Sequence, residues 1–125
     1  MPQLSSEVSQ AWDNREGPAI LVTVNQDGIP NAIYATCVSR YDEARFVIAD
    51  NYFNKTRENV LTGCQASLLF MTEDRKSYQI KGDIEYQTEG EIFENMKHWS
   101  PSRHPEHAAA VIKVRSIYSG AKQLI

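Results

Sequence analysis

AILVTVNQDGIPNAIYATCVSRYDEARFVIAD, residues 19–50, is the stretch whose reading decides the fold. Residues 19–25 are rich in β-branched side chains, and Asn25-Gln26-Asp27-Gly28 is a tight-turn sequence, so a hairpin leads into a second strand over residues 29–39. Pro30 stands near the start of that strand, where a missing N–H is tolerated. Tyr41-Asp42-Glu43-Ala44 turns the chain again, into a third strand from Arg45 to Asp50. Three consecutive strands joined by short polar links make a meander, the simplest beginning of an antiparallel sheet or barrel.

Upstream of this stretch, Leu4, Val8 and Trp12 recur at every fourth position and predict a short amphipathic helix over residues 4–14. Downstream, residues 54–62 read as a short helix, and residues 66–72 (ASLLFMT) as a strand apolar on both alternating faces, hence buried on both. The next strand alternates, with Tyr78, Ile80, Ile84 and Tyr86 on one face and polar residues on the other. Thr88-Glu89-Gly90-Glu91 has the spacing of a capping box, and Ile92, Phe93, Met96 and Trp99 then form one helical stripe. Residues 100–106 (SPSRHPE) contain two prolines and make a loop, and residues 108–119 supply a last strand. The expectation is a mainly β protein, a six-stranded antiparallel closed or split β-barrel with short flanking helices.

At 125 residues the chain fits one domain, residues 1–125, built on one core. Its net charge of −3 and lack of any Lys/Arg cluster longer than two argue against nucleic acid as a partner. No apolar run approaches the roughly 18 residues of a transmembrane helix, so no membrane partner is expected. The N-terminus lacks the basic and then apolar regions of a signal peptide, from which a cytoplasmic location follows by default. Cys37 and Cys64 are then free thiols, read as small buried hydrophobes rather than reactive groups. His98, His104 and His107 lie in and beside the proline-rich loop at a spacing that matches no metal-ligand motif, and they read as exposed imidazoles.

DNYFNKTREN, residues 50–59, carries the best candidate site. With Asn54 as N-cap, Lys55 and Thr56 occupy the first helical positions, where free backbone N–H groups, an ammonium and a hydroxyl suit a phosphate or another anion. A solvated helix start with an incidental lysine is the competing reading. No Gly-x-Ser-x-Gly, Walker or Rossmann glycine pattern is present, so reactive chemistry would come from a cofactor, and no protein acid or base is named.

DGIPNAIYAT, RFVIADNYFNKTRENV and YQIKGDIEY, in that order, resemble the FMN-binding split-barrel family related to pyridoxamine 5′-phosphate oxidase, and especially its short single-domain members. Lys55-Thr56 is the sharpest part of the likeness, which spans about residues 17–119. The resemblance implies a barrel that forms a homodimer, with two equivalent FMN sites at the subunit interface. It carries the phosphate to Lys55 and Thr56, the isoalloxazine ring to Tyr34, Ala35 and Thr36, and the ribityl chain and ring edge to Ala49, Asp50 and Asn51. Trp99 or Leu124 of the partner chain would cover the ring. The implied function is an FMN flavoprotein, an oxidoreductase working by electron or hydride transfer with a small-molecule substrate or electron donor. A flavin carrier or sensor without turnover, or a barrel binding deazaflavin or haem, are the alternatives. The extra basic residues and C-terminal extension that recognise pyridoxamine phosphate in full-length oxidases have no counterpart here, so that activity is not expected.

Overall fold

A computed structural model describes residues 6–125. Leu4, the first residue of the expected N-terminal stripe, lies outside them. Three helices and eight strands follow one another as α1 (Ser6–Asp13), β1 (Ala19–Val24), β2 (Pro30–Ala35), β3 (Val38–Arg40), β4 (Arg45–Asp50), α2 (Lys55–Leu61), β5 (Gln65–Met71), β6 (Ser77–Gln87), α3 (Glu91–Trp99), β7 (Ala108–Ser119) and β8 (Lys122–Gln123). No helix among the described residues is long and apolar enough to cross a membrane.

The first hairpin forms where its turn residues require. Asn25 Oδ1 accepts the N–H groups of Asp27 and Ile29, both at 2.9 Å, and Gly28 takes the positive φ of 79° that the turn needs. β1 and β2 then pair antiparallel from Val24↔Pro30 to Ala19↔Ala35.

All the ladders are antiparallel, and the hydrogen-bonded path runs β2-β1-β5-β6-β7-β4-β3, with β8 beside β7. Its two ends, β2 and β3, are consecutive in sequence, separated only by Thr36 and Cys37. The sheet therefore curls until its edges meet through the chain itself rather than through a ladder, which makes it a split barrel. The strand expected over residues 29–39 is broken at Thr36-Cys37 because its first half serves one edge and its second half the other. With these two pieces taken as one, the expected six strands are present; β8, a two-residue return beside β7, was not anticipated.

The barrel is filled by inward residues that include Leu21, Phe46, Ile48, Leu68, Ile80, Ile112 and Ile117. α1 lays Val8 and Trp12 against this core, and Trp12 meets Phe46 and Phe70 edge-to-face with centroids 4.8 and 5.1 Å apart. A second apolar layer lies outside the barrel, where Ile92, Phe93 and Met96 of α3 cover Val47 and Ala49 of β4 and Ala109 and Val111 of β7. β4 and β7 are thus the strands buried on both faces. β5, expected to be so, alternates: Ala66, Leu68 and Phe70 are buried while Gln65 and Met71 are exposed. The Thr88 capping box does not form either. α3 starts after Gly90, whose φ of 100° turns the chain into the helix without a side-chain cap.

β6 crosses β7 at a bulge between Lys81 and Gly82. A Cβ at Gly82 would stand 2.0 Å from the Lys113 carbonyl oxygen, so only glycine lets the two backbones approach.

Candidate functional site

The split in the barrel opens a cleft of about 310 Å³ between the end of β2, the end of β4 and the segment that follows it. Tyr34, Ala35, Thr36, Ala49 and Asn51 all line it, so five of the ten residues named from sequence meet in one place. Ile33, Cys37, Ile48, Tyr52, Phe53 and His104 complete the walls and were not named. Small side chains at Ala35 and Ala49 leave the wall low where a flat ligand could approach the backbone. No carboxylate lines the cleft.

Asp50 is adjacent in sequence but turned away. Its carboxylate is fully buried and accepts four hydrogen bonds, from Arg57 Nε at 2.6 Å and Nη2 at 3.0 Å, Tyr86 Oη at 2.5 Å and the Phe53 N–H at 3.0 Å. Burial alone would raise its pKa, but the bonds from Arg57, Tyr86 and Phe53 outweigh that and hold it below the ordinary carboxylate range. The bond to Asp50 raises the pKa of Arg57 in turn, and burial together with the Asp50 carboxylate raises that of Tyr86. Arg57, which was given no role from the sequence, is the main partner of this buried charge.

The same carboxylate shapes the cleft. By accepting the Phe53 N–H it folds residues 50–53 into a tight turn, which presents Asn51, Tyr52 and Phe53 to the opening. Residues 100–107 are fastened to this turn through Asn51 Oδ1, which accepts from the Glu106 N–H, and the Asp50 carbonyl, which accepts from the His107 N–H, each at 2.9 Å. Tyr52 Oη and His104 Nδ1 are 3.1 Å apart, with their rings edge-to-face.

Lys55 and Thr56 begin α2, just past Phe53, and are not part of the cleft wall. Asn54 precedes the helix but its side chain makes no capping bond. Lys55 is exposed and pairs with Glu58 at 3.4 Å. Thr56 is buried, its Oγ1 accepting from Asn31 Nδ2 of β2 at 3.0 Å, while Asn59 Nδ2 donates to Thr23 Oγ1 of β1 at the same distance. These two bonds, with Val60 in the core, clamp α2 across the first hairpin.

Trp99 lies at an adjoining cleft, and Leu124 packs half-buried on its own barrel, with its N–H bonded to the Ile117 carbonyl at 2.8 Å. The two cysteines are unpaired and half-buried rather than buried, and Cys37 faces both clefts. His104 is half-buried and engaged with Tyr52, while His98 and His107 are exposed.

A family model described as pyridoxamine 5′-phosphate oxidase matches residues 6–120. A protein of Methanocaldococcus jannaschii, itself uncharacterised, is 30% identical over 122 residues, spanning 94% of this chain and 80% of the relative. Among solved structures, HupZ of Group A Streptococcus superposes with a TM-score of 0.80 at 27% identity, with 93% of each chain covered. An FMN-binding protein of Syntrophomonas wolfei superposes with a TM-score of 0.71 at 17% identity, over 88% of this chain and 81% of that one, a likeness of fold. Curled antiparallel sheet, split at Thr36-Cys37, and sequence match agree: the chain belongs to the pyridoxamine 5′-phosphate oxidase-related family of FMN-binding split barrels.

Proposed function

We propose that the cleft at the barrel split holds the ring of FMN, with the phosphate held at Lys55 and Thr56. The observation that carries this reading is the convergence of Tyr34, Ala35, Thr36, Ala49 and Asn51, from three segments, on one low-walled opening in a chain of this family. The residues present suit the group. Ala35 and Ala49 admit a flat ring, the Thr36 hydroxyl and the Asn51 amide can meet its polar edge, and Asp50 is neutralised by Arg57 and so does not oppose a phosphate. In this reading the role of Asp50 is to hold the turn, not to touch the ribityl chain.

Bound FMN supplies hydride or electron transfer, so the chain's contribution is to bind, orient and shield the ring, as an oxidoreductase acting on a small-molecule substrate or donor. The cleft is open on one side, and Tyr34 and Tyr52 beside it are 75% and 72% exposed. Large exposed aromatics around an open ligand cleft support closure by a second copy of the chain, a homodimer with a site at each end of the interface.

The purified protein is expected to be yellow, or to become so on addition of FMN; a Soret band would favour haem, and a colourless protein that cannot be reconstituted would defeat the reading. Lys55→Ala should weaken FMN by about tenfold and leave riboflavin nearly unaffected, because a lost charge-assisted hydrogen bond to phosphate is worth about 1.5 kcal/mol or more. Equal losses for both ligands would move the phosphate elsewhere. Consumption of NADH or NADPH with an acceptor separates an enzyme from a carrier or sensor.

A further inference from the structure

A second cleft of about 400 Å³ adjoins the first and shares Thr36, Cys37 and His104 with it as a common wall. Val38 and Ser39 of β3, with Trp99 and Pro101, line the rest of it beside Arg103. Arg103 is its one charged side chain of fixed sign, and no carboxylate lines it.

Most of the molecule's cations are engaged elsewhere. Arg45, Lys55, Arg57, Lys76, Lys113 and Arg115 are each ion-paired, and Arg15, Lys81 and Lys97 lie over aromatic rings. Arg103, like Arg40, Arg75 and Lys122, has neither kind of partner among the described residues, and of these four it is the one that lines this cleft, in a protein whose net charge is −3. Its loop is nonetheless tied down. Ser100 N–H bonds to the Met96 carbonyl and His104 N–H to the Pro101 carbonyl, at 2.9 and 3.0 Å, and His104 is held by Tyr52.

We infer that this second cleft binds a small organic carboxylate, with Arg103 as the anion-recognising residue and Trp99 and Pro101 as the apolar wall. A guanidinium offers two parallel donors that match one carboxylate, and the single charge of Arg103 balances the single charge of a carboxylate, whereas a doubly charged phosphate would leave a net negative charge in the cleft. Hydroxyls of Thr36 and Ser39 and the His104 imidazole add polar contacts around the carboxylate-bearing end. The cleft is large enough for a molecule of one ring, at the lower end of the ~300–1,000 Å³ usual for ligand sites. Its binding does not depend on flavin. Its meaning does rest on the proposed function, since the shared wall would set such a carboxylate beside the ring as substrate.

The two tryptophans provide the test. Trp99 lines this cleft, and Trp12 is buried between Phe46 and Phe70, so their indole N–H signals in a ¹H–¹⁵N spectrum report the site and the fold separately. The full chain is titrated with benzoate, benzamide and phenyl phosphate, as purified and again with added FMN. Benzoate should move the Trp99 signal to saturation and leave Trp12 in place, with benzamide and phenyl phosphate each weaker by about tenfold. Arg103→Gln should abolish the preference for benzoate over benzamide while the Trp12 signal stays unchanged. Equal binding of benzoate and benzamide, a stronger response to phenyl phosphate, or an Arg103→Gln variant that keeps the preference would overturn the proposal. So would a Trp99 signal that responds to dilution and not to benzoate, because the cleft would then be covered by a second copy. A protein that takes up no FMN yet discriminates benzoate in this way keeps the carboxylate site and loses the flavin reading; FMN uptake with an unmoved Trp99 does the reverse.

Discussion

Arg57 and Asp50 show how one residue pair sets the geometry around a site without lining it. Asp50 is fully buried and Arg57 about one-third exposed, so the pair is stronger than a surface ion pair but is partly screened. Breaking a buried pair costs about 3–5 kcal/mol, and with solvent at Arg57 and two other donors left on Asp50, Arg57→Ala should cost about 2–3 kcal/mol in a urea melt at neutral pH. The pH dependence has a definite sign. Because the folded-state pKa of Asp50 lies below its unfolded value, its stabilisation is complete above the ordinary carboxylate pKa and is lost as pH falls through the depressed folded value. In Arg57→Ala the burial of Asp50 is less opposed and its pKa rises, so the loss should begin at a higher pH; Asp50→Asn should be weaker at neutral pH and flatter toward acid. Urea midpoints measured from pH 7 down to pH 3 check both, and a wild-type protein indifferent to acid through that window would contradict the role given to Asp50. From the sequence, Lys55 receives a role because it opens a helix and matches a family motif. Arg57 receives none, because nothing local tells which of two exposed-looking cations has a buried partner.

At the scale of elements, the readable features were those governed by local physics. The turn at Asn25–Gly28, the alternation along β6 and the stripe of α3 follow from side-chain chemistry and period, and all three form where the pattern put them. Burial was read less well. An apolar run says that a strand meets apolar surface, but not on which faces; β4 and β7 are covered twice because α3 packs outside them, whereas β5 meets the core on one face only. The capping box at Thr88 failed for a similar reason, since Gly90 reaches the entry angle to α3 with its backbone alone. Gly82 is the element-scale position most sensitive to change. Gly82→Ala would drive a methyl group into the Lys113 carbonyl and force β6 from β7, at a cost of about 3 kcal/mol. Thermal melting of Gly82→Ala beside Gly63→Ala checks this, because Gly63 has open space and only a positive φ to lose; equal effects would remove the close-approach argument.

For the whole molecule, the open cleft and its exposed tyrosines predict a dimer by light scattering, and Tyr34→Glu should shift it toward monomer and weaken flavin uptake together. A wild-type monomer that holds flavin tightly would defeat the interface site. The sequence by itself determined the antiparallel strand succession, the three helices and the family, because turn residues, periodicity and a short motif act within a few positions of one another. Only the tertiary structure decided where the barrel splits, which charge answers Asp50 and which residues share the cleft. Those outcomes join positions far apart in the chain, Asp50 with Tyr86 and Tyr52 with His104, and depend on how the sheet curls to bring them within hydrogen-bonding distance.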